Sequence, residues 1–194
     1  MELQGSRTIA ATQQQVWDAL IDPEVLKVSI PGCDKVERTA ENQFQVGVAV
    51  KVGPVSARFS GRITLADIEA PNRCTIIFDG QGGAAGFGKG SAEVSLAPAD
   101  EGRGCELSYL AKAQVGGKIA QVGQRLVDGV ARSMAEEFFN RFDAEMQRRY
   151  PPADAAQGQA SAPATATPAS RIPNWVWAAI GIVVVIGVGF WLLR

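Results

Sequence analysis

Gly83-Ala84-Ala85-Gly86-Phe87-Gly88-Lys89 has the GxxxxGK spacing of a phosphate loop, in which backbone N–H groups cradle phosphate oxygens and the lysine reaches the outer phosphates. The next residue is Gly90 rather than Ser or Thr, so the hydroxyl that would bind Mg²⁺ is missing. The segment that follows alternates as a strand and supplies no helix N-terminus to receive a phosphate. The stretch reads instead as a glycine-rich hairpin at a cavity rim. Phe87 is its one bulky side chain, set either to act as a lid or to pack under the loop.

Other chemistry is excluded more simply. The chain has no histidine, which removes the Ser-His and Cys-His nucleophile pairs and the commonest transition-metal ligand. Cys33, Cys74 and Cys105 are far apart and odd in number, with no CxxC spacing, and read as reduced thiols rather than a zinc site. Asp67 and Glu69, like Glu136 and Glu137, are near neighbours, but nothing sets a carboxylate pair across a cleft, and a solvated face is their expected place. Residues 1–150 carry 17 basic and 19 acidic side chains with no basic stripe and no aromatic interleaving, so a nucleic-acid partner is not expected. The pattern assigns no catalytic residue, no metal ligand and no covalently held cofactor.

The elements that would position a site follow from periodicity. Leu3–Ile9 reads as a first strand, and Thr12 caps a helix in which Val16, Trp17 and Leu20 share a face. Asp22-Pro23-Glu24 opens a second short helix through about Ser29, closed by Pro31-Gly32. A run of six strands follows. Phe44, Val46, Val48, Val50 and Val52 alternate with polar or small residues, and so do Val55, Ala57, Phe59, Gly61, Ile63 and Leu65 after the Gly53-Pro54 turn. Further strands lie around Cys74–Asp79, Ser91–Leu96 and Leu107–Val115. One dry face and one wet face mark an antiparallel sheet covered on a single side. The cover is a helix from about Lys118 to Arg149, on which Ile119, Val122, Leu126, Val130, Met134, Phe138, Phe142 and Met146 recur every three or four residues.

The predicted class is therefore α+β, with a curved antiparallel sheet wrapped around a long C-terminal helix in the helix-grip manner. In that arrangement Val46, Val48, Phe59, Ile63, Phe78 and Tyr109 face Leu126, Val130 and Met134, with Phe87 at the rim. Solid core is one outcome of such a face. Small inward residues (Ala57, Gly61, Ala92, Ala111, Ala113), with Gly123 and Gly129 on the helix, favour an elongated apolar cavity for an apolar ligand. Tyr109 is the one inward polar group, able to bond a ligand carbonyl or a backbone group.

The rest of the chain has a different composition. Residues 151–174 are rich in Pro, Ala, Ser and Thr and read as a flexible linker. Residues 175–193, WVWAAIGIVVVIGVGFWLL, hold no charge, and eleven of the nineteen are Val, Ile, Leu or Phe. As a helix they would span about 28 Å, with Trp175, Trp177 and Trp191 at the two ends as an aromatic belt requires. A transmembrane tail anchor is expected. The start of the chain has no apolar leader, which predicts an inner-membrane, single-pass protein with its domain in the cytoplasm.

Three turns also carry a resemblance. Ile30-Pro31-Gly32-Cys33, Val52-Gly53-Pro54-Val55 and Gly86-Phe87-Gly88-Lys89-Gly90 resemble those of the CoxG family of carbon monoxide dehydrogenase subunits, within the START-like SRPBCC superfamily. The resemblance covers about residues 1–148 and its motifs are structural rather than catalytic. It implies a non-enzymatic accessory that helps bring a molybdenum-containing dehydrogenase to the membrane. An isoprenoid quinone or another lipid as the carried ligand extends that implication. The alternatives are a helix-grip enzyme of the aromatase/cyclase type and a ligand-free docking scaffold.

Overall fold

The chain divides into two units, Met1–Gln157 and Gly158–Arg194. The computed structural model describes residues 1–99 and 102–151, so the expected linker and membrane anchor lie outside the described residues. Among the described residues no helix is long and apolar enough to cross a membrane.

Local signals set the first third of the domain. Strand β1 (Glu2–Ile9) leads to Thr12, whose hydroxyl accepts from the Gln15 backbone N–H while the Gln15 side chain accepts from the Thr12 N–H. This capping box starts α1 (Gln13–Leu20) and is worth about 1 kcal/mol. Asp22 caps α2 (Pro23–Ser29) through its own carboxylate, with Pro23 in the first turn where its missing N–H is harmless. The six strands that follow are β2 (Cys33–Ala40), β3 (Gln43–Val52), β4 (Val55–Glu69), β5 (Arg73–Gln81), β6 (Phe87–Ala99) and β7 (Gly104–Gly116). Together with β1 they form one antiparallel sheet in the order β1-β7-β6-β5-β4-β3-β2, so every neighbouring pair except β1–β7 is a sequential hairpin.

The C-terminal cover departs from expectation in one respect. Instead of one helix of eight turns there are two, α3 (Lys118–Gln121) and α4 (Gln124–Arg149), separated at Val122-Gly123. Gly123 has φ +101°, a conformation that side-chain-bearing residues rarely adopt, so the chain turns there and helix winding restarts. The restart changes which residues face inward. Val127 is buried, whereas Leu126 is 50% exposed.

Burial falls into two clusters. The larger joins Ile9, Val16, Trp17 and Val25 to Leu96, Leu107, Phe139, Phe142 and Met146. The smaller is built on Val52, Ile119 and Val127, with Val50, Phe59, Val115, Val122 and Val130 packed against it. Helix α2 packs on α4 and β2. An ion pair fastens it there: Arg149 bridges Asp22 at 2.6 Å and Glu145 at 2.7 Å. All three cysteines are free thiols, and burial pushes Cys74 and Cys105 above the usual thiol range, which leaves them protonated and unreactive.

Candidate ligand cavity

Alternation on the strands decides what faces the open space beside the smaller cluster. Along β3, Val46, Val48 and Val50 point to one side, and the register sets Val46 opposite Gly61, Val48 opposite Phe59 and Phe44 opposite Ile63. Ile63 in turn stands opposite Phe78 on β5. Glycines follow on the same face: Gly61, then Gly80 beside Gly88 and Gly90 on β6. A Cβ added at Gly90 would meet the Phe78 ring at 2.8 Å and the Lys112 carbonyl oxygen at 2.1 Å, so glycine there lets the phenylalanine lie across the sheet.

The resulting cavity holds about 350 Å³ and is open to solvent. Its wall includes Val46, Val48, Phe59, Ile63, Phe78, Phe87 and Met134 of the residues singled out from sequence, and adds Val50, Gly61, Val115 and Ile119. The additions share the period of their neighbours. Val50 and Val115 continue the inward alternation of β3 and β7, and Ile119 belongs to the helical stripe, so the signal for all three is present in the sequence. Arg62 and Asp79 touch the cavity as cross-strand partners. Their side chains alternate away from Gly61, Ile63 and Phe78, and both are exposed. The volume sits near the lower end of the range for small-molecule sites, with an apolar wall suited to a ring and part of a chain.

Three of the expected wall residues lie elsewhere. Tyr109 belongs to the larger cluster: its ring stacks on Phe139 with centroids 5.2 Å apart and covers Gly5, where an added Cβ would lie 2.8 Å from the hydroxyl oxygen. Its position along β7, opposite Val94 and Gly5, is several residues from the cavity end of the strand. Leu126 is displaced by the break at Gly123 and lies by the β3–β4 turn, its Cδ1 3.8 Å from where a Gly53 Cβ would be. Val130 packs against the smaller cluster instead of lining the open space.

Phe87 reaches the cavity only at its rim. It faces Gly116 across the β6–β7 ladder, where an added Cβ would sit 2.4 Å from its ring, and Lys89 on the same side of the strand lies 5.9 Å from the ring centroid. The ring therefore covers the outer side of β7, packing against the strand end rather than closing over the inward face. Beneath it the β5–β6 loop is pinned to the end of β7, since a Cβ at Gly86 would lie 1.9 Å from the Gly116 carbonyl oxygen.

Titratable groups gather away from this space. Among the described residues no group of three or more Cys, Asp or Glu could hold a metal ion. Glu145 is held down to about 2 by hydrogen bonds from Arg148 and Arg149. Burial raises the Asp143 carboxyl, with Arg7 only partly offsetting it. Burial also raises Asp22, but hydrogen bonds from Arg149 and the Glu24 N–H outweigh it, and the net shift is downward. These groups tie α4 to its neighbours and line no part of the cavity.

Comparison with known proteins bears on the whole domain. Residues 5–147 match the family of carbon monoxide dehydrogenase subunits described as CoxG. A search of curated proteins returned no match. Among solved structures, a conserved protein from Geobacillus kaustophilus is 29% identical with a TM-score of 0.71, covering 76% of this chain and 96% of its own. The Zhui aromatase/cyclase from Streptomyces sp. R1128 is 18% identical with a TM-score of 0.57, covering 77% of this chain and 94% of its own. A protein from Thermus thermophilus has 16% identity, a TM-score of 0.59, and coverage of 77% and 99%. The latter two show a shared helix-grip fold and nothing of function. With its sheet, its two-part helical cover and most of its length matched to one family, this chain belongs to the CoxG family of carbon monoxide dehydrogenase subunits.

Proposed function

We propose that the chain is a membrane-tethered accessory of a molybdenum-containing, carbon monoxide dehydrogenase-type enzyme, and that its cavity carries an apolar molecule, an isoprenoid quinone. Family membership supports the partner. The observation that carries the ligand reading is the apolar cavity of about 350 Å³ whose wall runs from Val46, Val48, Ile63 and Phe78 to the Val50, Phe59, Val115 and Ile119 of the smaller core cluster. A space lined by Val46, Val48, Phe59, Ile63 and Phe78 is unfavourable to fill with water and favourable to fill with hydrocarbon, which makes the wall itself the source of affinity. The uncharged 175–193 segment supports a location beside the bilayer, where such molecules are dissolved. An enzyme of the cyclase type would need polar groups inside the pocket to steer a reactive chain, and the charged residues at this wall turn outward.

The tethering half of the reading is tested by deleting residues 151–194 in cells that make the partner enzyme. The partner should move from the membrane fraction to the soluble fraction. A partner that stays with the membrane would contradict the anchoring role.

A further inference from the structure

The loops at the two ends of the sheet differ in charge. At the cavity end stand the β3–β4 turn (Val52-Gly53-Pro54-Val55), the β5–β6 loop (Gly82-Gly83-Ala84-Ala85-Gly86) and the α3–α4 junction (Ile119-Ala120-Gln121-Val122-Gly123), none with a charged residue. At the opposite end the connections carry charged residues: Glu41 between β2 and β3, Glu69 and Arg73 on either side of the β4–β5 turn, and Arg103 before β7. The three uncharged tips are contiguous. Leu126 lies by Gly53, Gly86 meets Gly116 and Gly117, and the β5–β6 loop touches α3.

Cations stand directly behind these tips. Lys51 precedes the first, Lys89 follows the second, and Lys118 and Arg125 flank the third, all four exposed. From the row Glu37–Arg62–Asp79–Lys89 outward, Lys35 and Arg58 are engaged by Glu37 and Asp34. Arg62 stands opposite Asp79, Lys89 shares a surface hollow with Glu2, Asp79 and Lys112, and Arg125 shares another with Asp128 and Arg132, while Lys51 and Lys118 are exposed beside the tips. Two of the large apolar side chains the fold leaves exposed are here as well, Leu126 at 50% and Phe87 at 37%. Uncharged, apolar tips in front of a basic collar match the layering of an anionic bilayer: hydrocarbon at depth, phosphate oxygens above it. Long basic side chains can lie along the interface with their charge at phosphate level.

We propose that this end of the domain docks on an anionic lipid surface, with the rim of the cavity against the bilayer. The direction of the rim gives the docking its use only on the reading that the cavity takes an apolar ligand; the docking itself is independent of that reading.

The test uses residues 1–151, which hold both clusters and every strand pairing, and whose Geobacillus counterpart is matched over 96% of its own length. Co-sedimentation is measured with ligand-free vesicles of phosphatidylcholine alone and with added phosphatidylglycerol, and circular dichroism checks each variant's fold. Binding should require phosphatidylglycerol and weaken with salt. It should fall by about tenfold or more in Lys118→Glu/Arg125→Glu, fall less in Leu126→Ser, and hold in Arg73→Glu at the opposite end. No binding, equal binding to both vesicles, or equal loss in Arg73→Glu would overturn the proposal. So would charge-dependent binding to the partner enzyme but not to vesicles. Vesicle docking without any extracted quinone would keep the docking and remove the cavity reading, and the reverse result would do the opposite.

Discussion

At the residue scale, the side chains that hold the domain together are not those that shape the cavity. Glu145 accepts from Arg148 and from Arg149, and Arg149 also reaches Asp22 at the start of α2. Because the folded Glu145 carboxyl sits near 2, below its unfolded value, its contribution is fully present above about pH 4.5 and is lost as pH falls toward 2. Glu145→Gln should therefore lower stability at pH 7 by about 1 kcal/mol, with the difference from the parent shrinking through that window. Urea titrations at pH 7, 4 and 3 would check this, and a difference that grows on acidification would contradict it. Tyr109 shows what pattern reading misses at this scale. Alternation assigns its face correctly, but depth along a strand depends on register with distant strands, and its stacking partner Phe139 is thirty residues away in sequence.

At the element scale, the local signals at Thr12, Asp22 and Pro23 carry both short helices almost to the residue, because caps act within one turn. The strands follow from alternation for the same reason. The break at Gly123 is harder to see. A lone glycine in an apolar stripe costs a continuous helix only about 1 kcal/mol, so periodicity reads straight through it. What decides the break is tertiary: α3 is held against the β5–β6 loop and β7, while α4 follows the sheet toward α2. One expected wall residue, Leu126, is displaced by this event. Gly123→Ala keeps a helix former but forces an alanine into φ near +101°. It should destabilise the domain by about 1–2 kcal/mol although open space surrounds the new Cβ. A thermal midpoint equal to the parent's would mean that the two helices fuse without penalty.

At the scale of the whole molecule, near-neutral composition conceals a directional charge. The cations of the cavity end come from four separate segments, so none forms a stripe along the chain, and only the fold assembles them. The cavity is equally a property of the assembled sheet: small residues hint at space, but its volume depends on how far the strands curve. Reach is compatible with the proposed orientation. Helix α4 is about 39 Å long over its 26 residues and ends at the opposite side of the sheet, while the 24 residues from 151 to 174 can extend to about 80 Å. On the proposed anchoring, that length is enough for the cavity rim to reach the bilayer.

The measurement that bears most directly on the central claim is mass spectrometry of an organic extract of the purified full-length protein, of residues 1–151, and of full-length Val48→Phe. Val48 lines the cavity opposite Phe59, and a phenylalanine there occupies the space a ligand ring would take. The account predicts a quinone at near one-to-one ratio in the first two samples and its loss from the third while the fold is retained. Quinone present only when the tail is present, and unchanged by Val48→Phe, would mark it as co-purified membrane lipid and contradict the carrier role.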